Sequence, residues 1–328
     1  MKIYLAGAES PEHIAAILEN GAPHLLMSFF HGPWKRGQTR RGGATDHKLL
    51  AALMHTKTRF IDSGAYTLRT AVATTTGTKH NEGGAGVDFD AYLDAYVRWI
   101  KKMRALRLVD WWVEMDIGVL TGDRWVAQQR QRWAREGLGD GLVEVWHSDK
   151  GWDEWTRLLH DACRSGRSRY IAIEGRQNTG RVLNYTRFLH AAYRHGVRVH
   201  GFKMTTAKDL QVYPFYSVDS TTWLMPVHAG AAPGNARAGG VVQIRPDAPQ
   251  TDRTMSRRAL NGRRLLWHGP LPRKQTRFWR HAALRVSVRA WMRTEAKFDR
   301  LWRSRGVDWE TAVTHPAIQN AEEAHDEG

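Results

Sequence analysis

Two short runs carry residue types that can do chemistry together. Phe60-Ile61-Asp62-Ser63-Gly64-Ala65-Tyr66 puts a carboxylate, a hydroxyl and an aromatic ring at the end of an apolar segment. Tyr216-Ser217-Val218-Asp219-Ser220-Thr221-Thr222-Trp223 repeats the pattern of an aspartate leaving an apolar strand. If Asp62 and Asp219 meet across one pocket they can divide labour: one stays ionised as a nucleophile, and its neighbour, in a more apolar setting, holds or passes a proton. That pairing suits substitution at an anomeric carbon, whose oxocarbenium-like transition state needs negative charge on one face and a proton donor at the leaving group. Tyr66 offers a flat face on which a heterocyclic base could stack, and core packing is an equal alternative for it.

The elements that must position these residues follow from the spacing of apolar runs. Ile3–Ala6, Leu25–Phe29, Arg59–Ile61, Trp111–Met115, Leu142–Trp146, Tyr170–Ile173, Val197–Phe202 and Phe215–Val218 read as eight strands. Between them Pro11–Glu19, Lys48–His55, Phe89–Leu106, Arg124–Arg135, Trp152–Cys163, Val182–His195 and Ala207–Val212 read as helices, most with apolar residues at i, i+3 and i+4. Strand and helix alternating eight times predict an α/β fold, a (β/α)8 TIM barrel, with an open doubly wound sheet as runner-up. No GxGxxG follows the first strand, which weakens a dinucleotide-binding version of that alternative. In a barrel the strand ends converge on one mouth, so Asp62-Ser63, Glu114-Met115-Asp116, His147, Glu174-Gly175, Lys203 and Asp219-Ser220 form one candidate set, although an aspartate after a strand is also a common helix cap. Thr70–Gly86, rich in Thr and Gly, is expected to be a mobile lid after the third strand, and Ala229–Gln250 an irregular connection.

Charge and composition narrow the function classes. The 328 residues carry a formal net charge of +16, and sixteen Lys and Arg against Asp252, Glu295 and Asp299 concentrate +13 of local balance between Thr251 and Arg305. Such a region, interleaved with aromatics, suits phosphate neutralisation better than a merely solvated surface does. Within it Gln275–Arg303 reads as one long helix. Leu284, Val288, Trp291, Phe298 and Trp302 fall on an apolar stripe, and Arg285, Arg289, Arg293, Lys297 and Arg300 on a basic one that either tracks a phosphate backbone or is simply solvated. A barrel over 1–225, a basic, partly helical nucleic-acid-binding extension packed on it over 226–314 and an acidic, flexible tail over 315–328 are therefore expected. The single cysteine, Cys163, excludes an internal disulfide, no HExxH pair or tight ligand cluster argues for a metal, and no apolar run approaches a bilayer span. A signal peptide is not expected, since the apolar core of Met1–Ala8 is too short. The expected setting is cytoplasmic, the host's if a phage encodes the chain.

These residues also carry a family resemblance. Asp62-Ser63-Gly64-Ala65-Tyr66 resembles the DSGG-(Phe/Tyr) motif of tRNA-guanine transglycosylases, and Val218-Asp219-Ser220 stands at the place of that family's Phe-Asp-Cys nucleophile motif. Between them Met115-Asp116 resembles the base-recognition aspartate, Ala172-Ile173-Glu174-Gly175 the glycine-containing strand, and Gly201-Phe202-Lys203-Met204 the segment before the nucleophile strand. The order matches over about residues 1–225. Val145-Trp146-His147, Tyr170-Ile171-Ala172-Ile173 and Ser217–Trp223 are closer to the phage and bacterial 7-deazaguanine DNA transglycosylases, which exchange guanine in DNA for a 7-deazaguanine derivative.

The resemblance implies Asp219 as nucleophile, Asp62 as general acid/base, Tyr66 as a stacking residue, and Ser63, Asp116, Glu174 and Gly175 at the base. It implies DNA and a free 7-deazaguanine base as partners, with no cofactor. One cysteine cannot reproduce the zinc motif of the tRNA enzymes, so the region beyond Trp223 departs from theirs, and Glu174 stands where a smaller or neutral residue is expected. The alternatives are the same chemistry on tRNA, or a noncatalytic nucleic-acid-binding barrel whose aspartates are caps.

Overall fold

Between consecutive apolar runs the chain has room for a helix, and strands joined by such crossovers pair in parallel. The computed structural model describes residues 1–34, 43–76, 88–174, 184–225, 232–235, 241–244 and 277–314. Strands β1 (Lys2–Ala6), β2 (His24–Ser28), β3 (Thr58–Asp62), β4 (Trp111–Val113), β5 (Leu142–Trp146), β6 (Tyr170–Ile173), β7 (Arg198–Gly201) and β8 (Ser217–Ser220) are all parallel and close in sequence order. Closure is the β1–β8 pairing, with Ile3 opposite Val218 and Tyr4 opposite Asp219. Around them run α1 (Pro11–Asn20), α2 (Gly43–His55), α3 (Ala65–Thr76), α4 (Phe89–Ala105), the short α5 (Gly118–Thr121), α6 (Asp123–Arg135), α7 (Gly151–Cys163), α8 (Thr186–Arg194) and α9 (Ala207–Val212). The TIM barrel expected from the alternation is the fold.

Aromatic rings, where branched aliphatics usually dominate, fill part of the barrel interior. Tyr4 and Phe60 have centroids 5.4 Å apart, Phe60 and Tyr170 5.6 Å, and His200 stacks on Phe60 at 4.8 Å. Tyr4 on β1, Phe60 on β3, and Tyr170 and His200 on β6 and β7 meet across strands that are mostly not neighbours, so these contacts run through the interior. Trp112, Trp133, Trp146, Trp155, Trp223 and Trp291 are fully buried, which assigns much of the tryptophan to core packing and not to stacking on a ligand.

Two expectations are corrected. The segment from Thr70 is not a loop at its start, because α3 continues to Thr76; residues 77–86 of the expected lid lie outside the described residues. The stretch 229–250 is not wholly irregular, since β9 (Ala232–Asn235) and β10 (Val241–Ile244) pair antiparallel, the β-branched Val241, Val242 and Ile244 suiting an extended chain. The tail over 315–328 and the basic residues of 251–276 lie outside the described residues.

After β8 the helix α10 (Arg277–Ser304) packs along α1 and against β1, at the place in the outer ring that the helix following strand eight takes, and α11 (Trp309–Thr314) lies against α8. Its apolar stripe is the docking face: Leu284, Val288, Trp291 and Phe298 are buried, and the Trp302 indole donates to Leu210 O. Acidic residues of the same helix tie it to the rim where the strands begin. Glu295 Oε2 accepts from Ile3 N at 2.8 Å, Glu295 Oε1 lies 3.2 Å from His24 Nε2, and Asp299 lies 2.6 Å from the Met1 amino group.

Candidate active site

The end of β3 is fixed from several sides before any ligand arrives. Phe29 N donates to Asp62 O, the Tyr92 hydroxyl to Ser63 O at 2.6 Å, and the Ser63 hydroxyl to Glu114 O at 2.9 Å. Gly64 makes the turn at φ 82°, and a Cβ there would lie 2.4 Å from the Phe30 Cβ, so glycine is needed on both conformational and steric grounds. Its N–H donates to Asp62 Oδ2 at 3.1 Å. Burial nonetheless pushes the half-buried Asp62 carboxyl up to about 7; the Gly64 bond acts against the rise, and the negative charges of Asp219, Glu9 and Asp116 add to it.

Asp219, third residue of β8, is buried at 5 % exposure and set differently. Its Oδ1 accepts the Lys203 N–H at 2.8 Å and lies 3.4 Å from His200 Nε2. Lys203 presents that N–H from a left-handed backbone, φ 59°, which is uncommon for a residue with a side chain and costs about 1–3 kcal/mol. Its side chain crosses the mouth, where Nζ lies 3.8 Å from the centroid of the Tyr66 ring. Tyr66, at the first turn of α3, is 59 % exposed and so is no core ring. Asp62 and Asp219 thus share the mouth, close enough for the charge of one to raise the pKa of the other.

A second group spans the ends of β4, β5 and β6. His147 stands between two carboxylates, Nδ1 on Glu174 Oε2 at 2.6 Å and Nε2 on Asp116 Oδ1. Burial alone would lower its pKa, but those two hydrogen bonds and charges outweigh burial and raise it to about 10, so the ring is an imidazolium at neutral pH. Burial pushes Asp116 up, and His147 acts against that shift. Arg69, from α3, sits 3.7 Å from Glu174 Oε1. Glu174 is therefore a partner of two cations, which accounts for a charged residue at that position. Asp116 owes its place to α6: the Gln129 amide pairs with both Met115 N and Met115 O, while Arg130 makes two bonds to the buried Glu114 at 2.6 and 2.7 Å. Glu114, a strand-end candidate, faces that helix and is structural.

Of the expected site residues, Asp62, Tyr66, Asp116, Glu174 and Asp219 are at the mouth. Ser63 is there too, but it is fully buried and its hydroxyl is directed at the Glu114 carbonyl, just past the end of β4. Gly175 lies outside the described residues. The basic stripe of α10 is not brought to the mouth as a unit, because the helix runs alongside α1 toward the opposite rim. Arg285 pairs with Glu19 at 3.4 Å and Arg289 with Asn20 at 2.7 Å; Arg293 is half-buried, Lys297 lies over the Phe298 ring, and Arg300 is exposed.

Two residues at the site carry no local signal in the sequence. Glu9, after β1, reads as a residue preceding the Ser10 helix cap, yet it reaches the Ser28 N–H and its charge acts on Asp62. His200 lies inside an apolar strand and becomes visible only once Asp219 is above it.

Among the described residues no group of three or more His, Cys, Asp and Glu side chains is arranged to hold a metal ion, and no helix is long and apolar enough to cross a membrane. No protein-family model, curated protein or solved structure matches the chain.

Proposed function

We propose that the chain is a base-exchange glycosyltransferase that replaces guanine in DNA with a 7-deazaguanine derivative. The observation that carries this reading is the contrast between two carboxylates at one mouth: Asp62 is shifted to about 7, while Asp219 is buried and held by the Lys203 N–H. A group titrating near neutrality can both give and take a proton.

The target nucleoside leaves the stack, at a cost of a few kcal/mol, and its base enters the mouth. Asp219 attacks C1′ as the C1′–N bond to guanine breaks, and Asp62 in its acid form protonates the departing base. The incoming base gives its ring N–H proton to the Asp62 carboxylate, bonds to C1′ and displaces Asp219. Two inversions retain configuration. Tyr66 supplies an exposed face for stacking, and the Asp116 oxygen not engaged by His147 is an acceptor for the N–H-rich edge of guanine, with Glu174 holding His147 and Arg69 beside it. The net charge of +16 supports a polyanionic substrate.

Mass spectrometry of nucleosides from DNA and from tRNA, after incubation with candidate 7-deazaguanines, tests the proposal. Modified nucleoside is expected in DNA, and Asp219→Asn is expected to lower its formation by at least about a thousandfold. Modification of tRNA alone would refute the DNA assignment, and full exchange by Asp219→Asn would refute the nucleophile.

A further inference from the structure

The barrel interior beneath Asp219 holds a polar chain that the exchange chemistry above does not use. His200 is completely buried, wedged between Phe60, stacked on it at 4.8 Å, and the edges of Tyr4 and Phe202. Its Nδ1 is 2.6 Å from Ser217 Oγ, which in turn bonds the hydroxyl of the fully buried Tyr170. Its Nε2 makes no hydrogen bond of good geometry and lies 3.4 Å from Asp219 Oδ1. A buried imidazole among aromatic rings with one nitrogen aimed at a carboxylate calls for an account, because an unused buried N–H is costly.

The direction of the chain follows from its upper end. A carboxylate accepts and does not donate, so the ring nitrogen facing Asp219 carries the hydrogen; a bare lone pair there would be repelled. Nδ1 is then the acceptor, the Ser217 hydroxyl gives it a hydrogen bond, and Ser217 accepts from Tyr170, whose phenol burial keeps protonated. With its hydrogen on Nε2 the ring accepts from Ser217 and turns that N–H toward Asp219 Oδ1, 3.4 Å away.

We infer that Tyr170, Ser217 and His200 form a relay that directs an N–H toward Oδ1 of Asp219, the oxygen the Lys203 N–H already holds, so that Oδ2 is the oxygen that attacks and leaves C1′. This rests on Asp219 being the nucleophile. In the glycosyl-enzyme the ester bond runs through Oδ2, and Oδ1 is the carbonyl oxygen between the Lys203 and His200 N–H groups. When the incoming base bonds to C1′, the C1′–Oδ2 bond breaks and its electron pair returns to the carboxylate. The new negative charge spreads onto Oδ1, where the Lys203 N–H already bonds at 2.8 Å and the His200 N–H faces it from 3.4 Å, near enough to close on the oxygen as its charge grows. His200 touches neither substrate nor base. It is a positioning residue, and its effect falls on departure of Asp219 more than on substrate binding.

The test follows the covalent intermediate. A DNA substrate is mixed with protein in a single turnover without free base, the adduct is quantified on denaturing gels, and its decay is timed after a 7-deazaguanine is added. His200→Leu removes the N–H, whereas His200→Gln returns a donor near the Nε2 position. Ser217→Ala removes the hydrogen bond that fixes the tautomer and disturbs the core least.

Adduct decay is expected to slow roughly ten- to hundredfold in His200→Leu, the range for a hydrogen bond to a charged group, with KM nearly unchanged. His200→Gln should recover most of the rate and Ser217→Ala should fall between. If His200→Leu does not fold, Ser217→Ala and His200→Gln carry the comparison alone. Decay at the wild-type rate in the folded variants overturns the relay and leaves the exchange reading standing. No adduct with the wild-type protein on DNA or RNA overturns both.

Discussion

At the scale of the residue, the pKa of Asp62 ties function to stability. The fold holds its proton more firmly than the unfolded chain does, so its contribution to stability is complete below about pH 4 and is lost as pH rises through about 7. Asp62→Asn, which cannot ionise, is therefore expected to be more stable than wild type near pH 8, on the order of 2–4 kcal/mol, with the difference closing toward pH 4. Chemical denaturation across that range measures it, and equal stabilities at both ends would show that the carboxyl is not perturbed. The same variant should lose exchange at every pH. Gly64 makes a contrasting prediction. With φ 82° and the Phe30 Cβ in the way, Gly64→Ala should destabilise by more than about 2 kcal/mol and displace Asp62, so activity should fall even where the variant is folded. Tyr66 shows what a short motif leaves open: its sequence position allows a core ring or a stacking ring, and its exposure beside Lys203 excludes the core role.

At the scale of the element, α10 separates packing from charge. Leu284 on the docking stripe is completely buried, and Leu284→Ala should cost about 2–5 kcal/mol. Arg285, paired with Glu19 across a partly exposed surface, should cost under about 1 kcal/mol when changed to alanine. Thermal melts of the two variants distinguish these costs, and a large loss for Arg285→Ala would mean that the ion pair holds the helix. The apolar and basic stripes were both legible from helical periodicity. What periodicity could not reveal is that α1 faces the basic stripe with Glu12, Glu19 and Asn20, partners of Arg280, Arg285 and Arg289. A charged face and a paired face have the same pattern along one helix; only the neighbouring helix tells them apart.

At the scale of the whole molecule, the +16 charge and the mouth make one joint prediction. If the protein neutralises phosphates while a base is in the mouth, log affinity for duplex DNA should fall linearly with log salt, with a slope near −0.9 per phosphate contacted. Arg300→Glu, at the far rim from the mouth, should alter that slope less than Lys203→Glu, which stands at it; the reverse order, read from titrations at several salt concentrations, would move the bound DNA to the α10 flank.

The sequence by itself determined the barrel and the identity of most strand-end groups, because an apolar run followed by a helical pattern is a local signal and here it recurs eight times. It also placed Asp62 and Asp219 at one end of the molecule, since all strand ends of a closed parallel barrel emerge on the same side. Tertiary structure alone decided how those groups are charged and held: burial raises Asp62, His147 joins Asp116 to Glu174, Lys203 turns its N–H onto Asp219, and His200 lies beneath it. Desolvation and hydrogen bonding depend on which side chains from distant strands face each other, and no spacing along the chain encodes that.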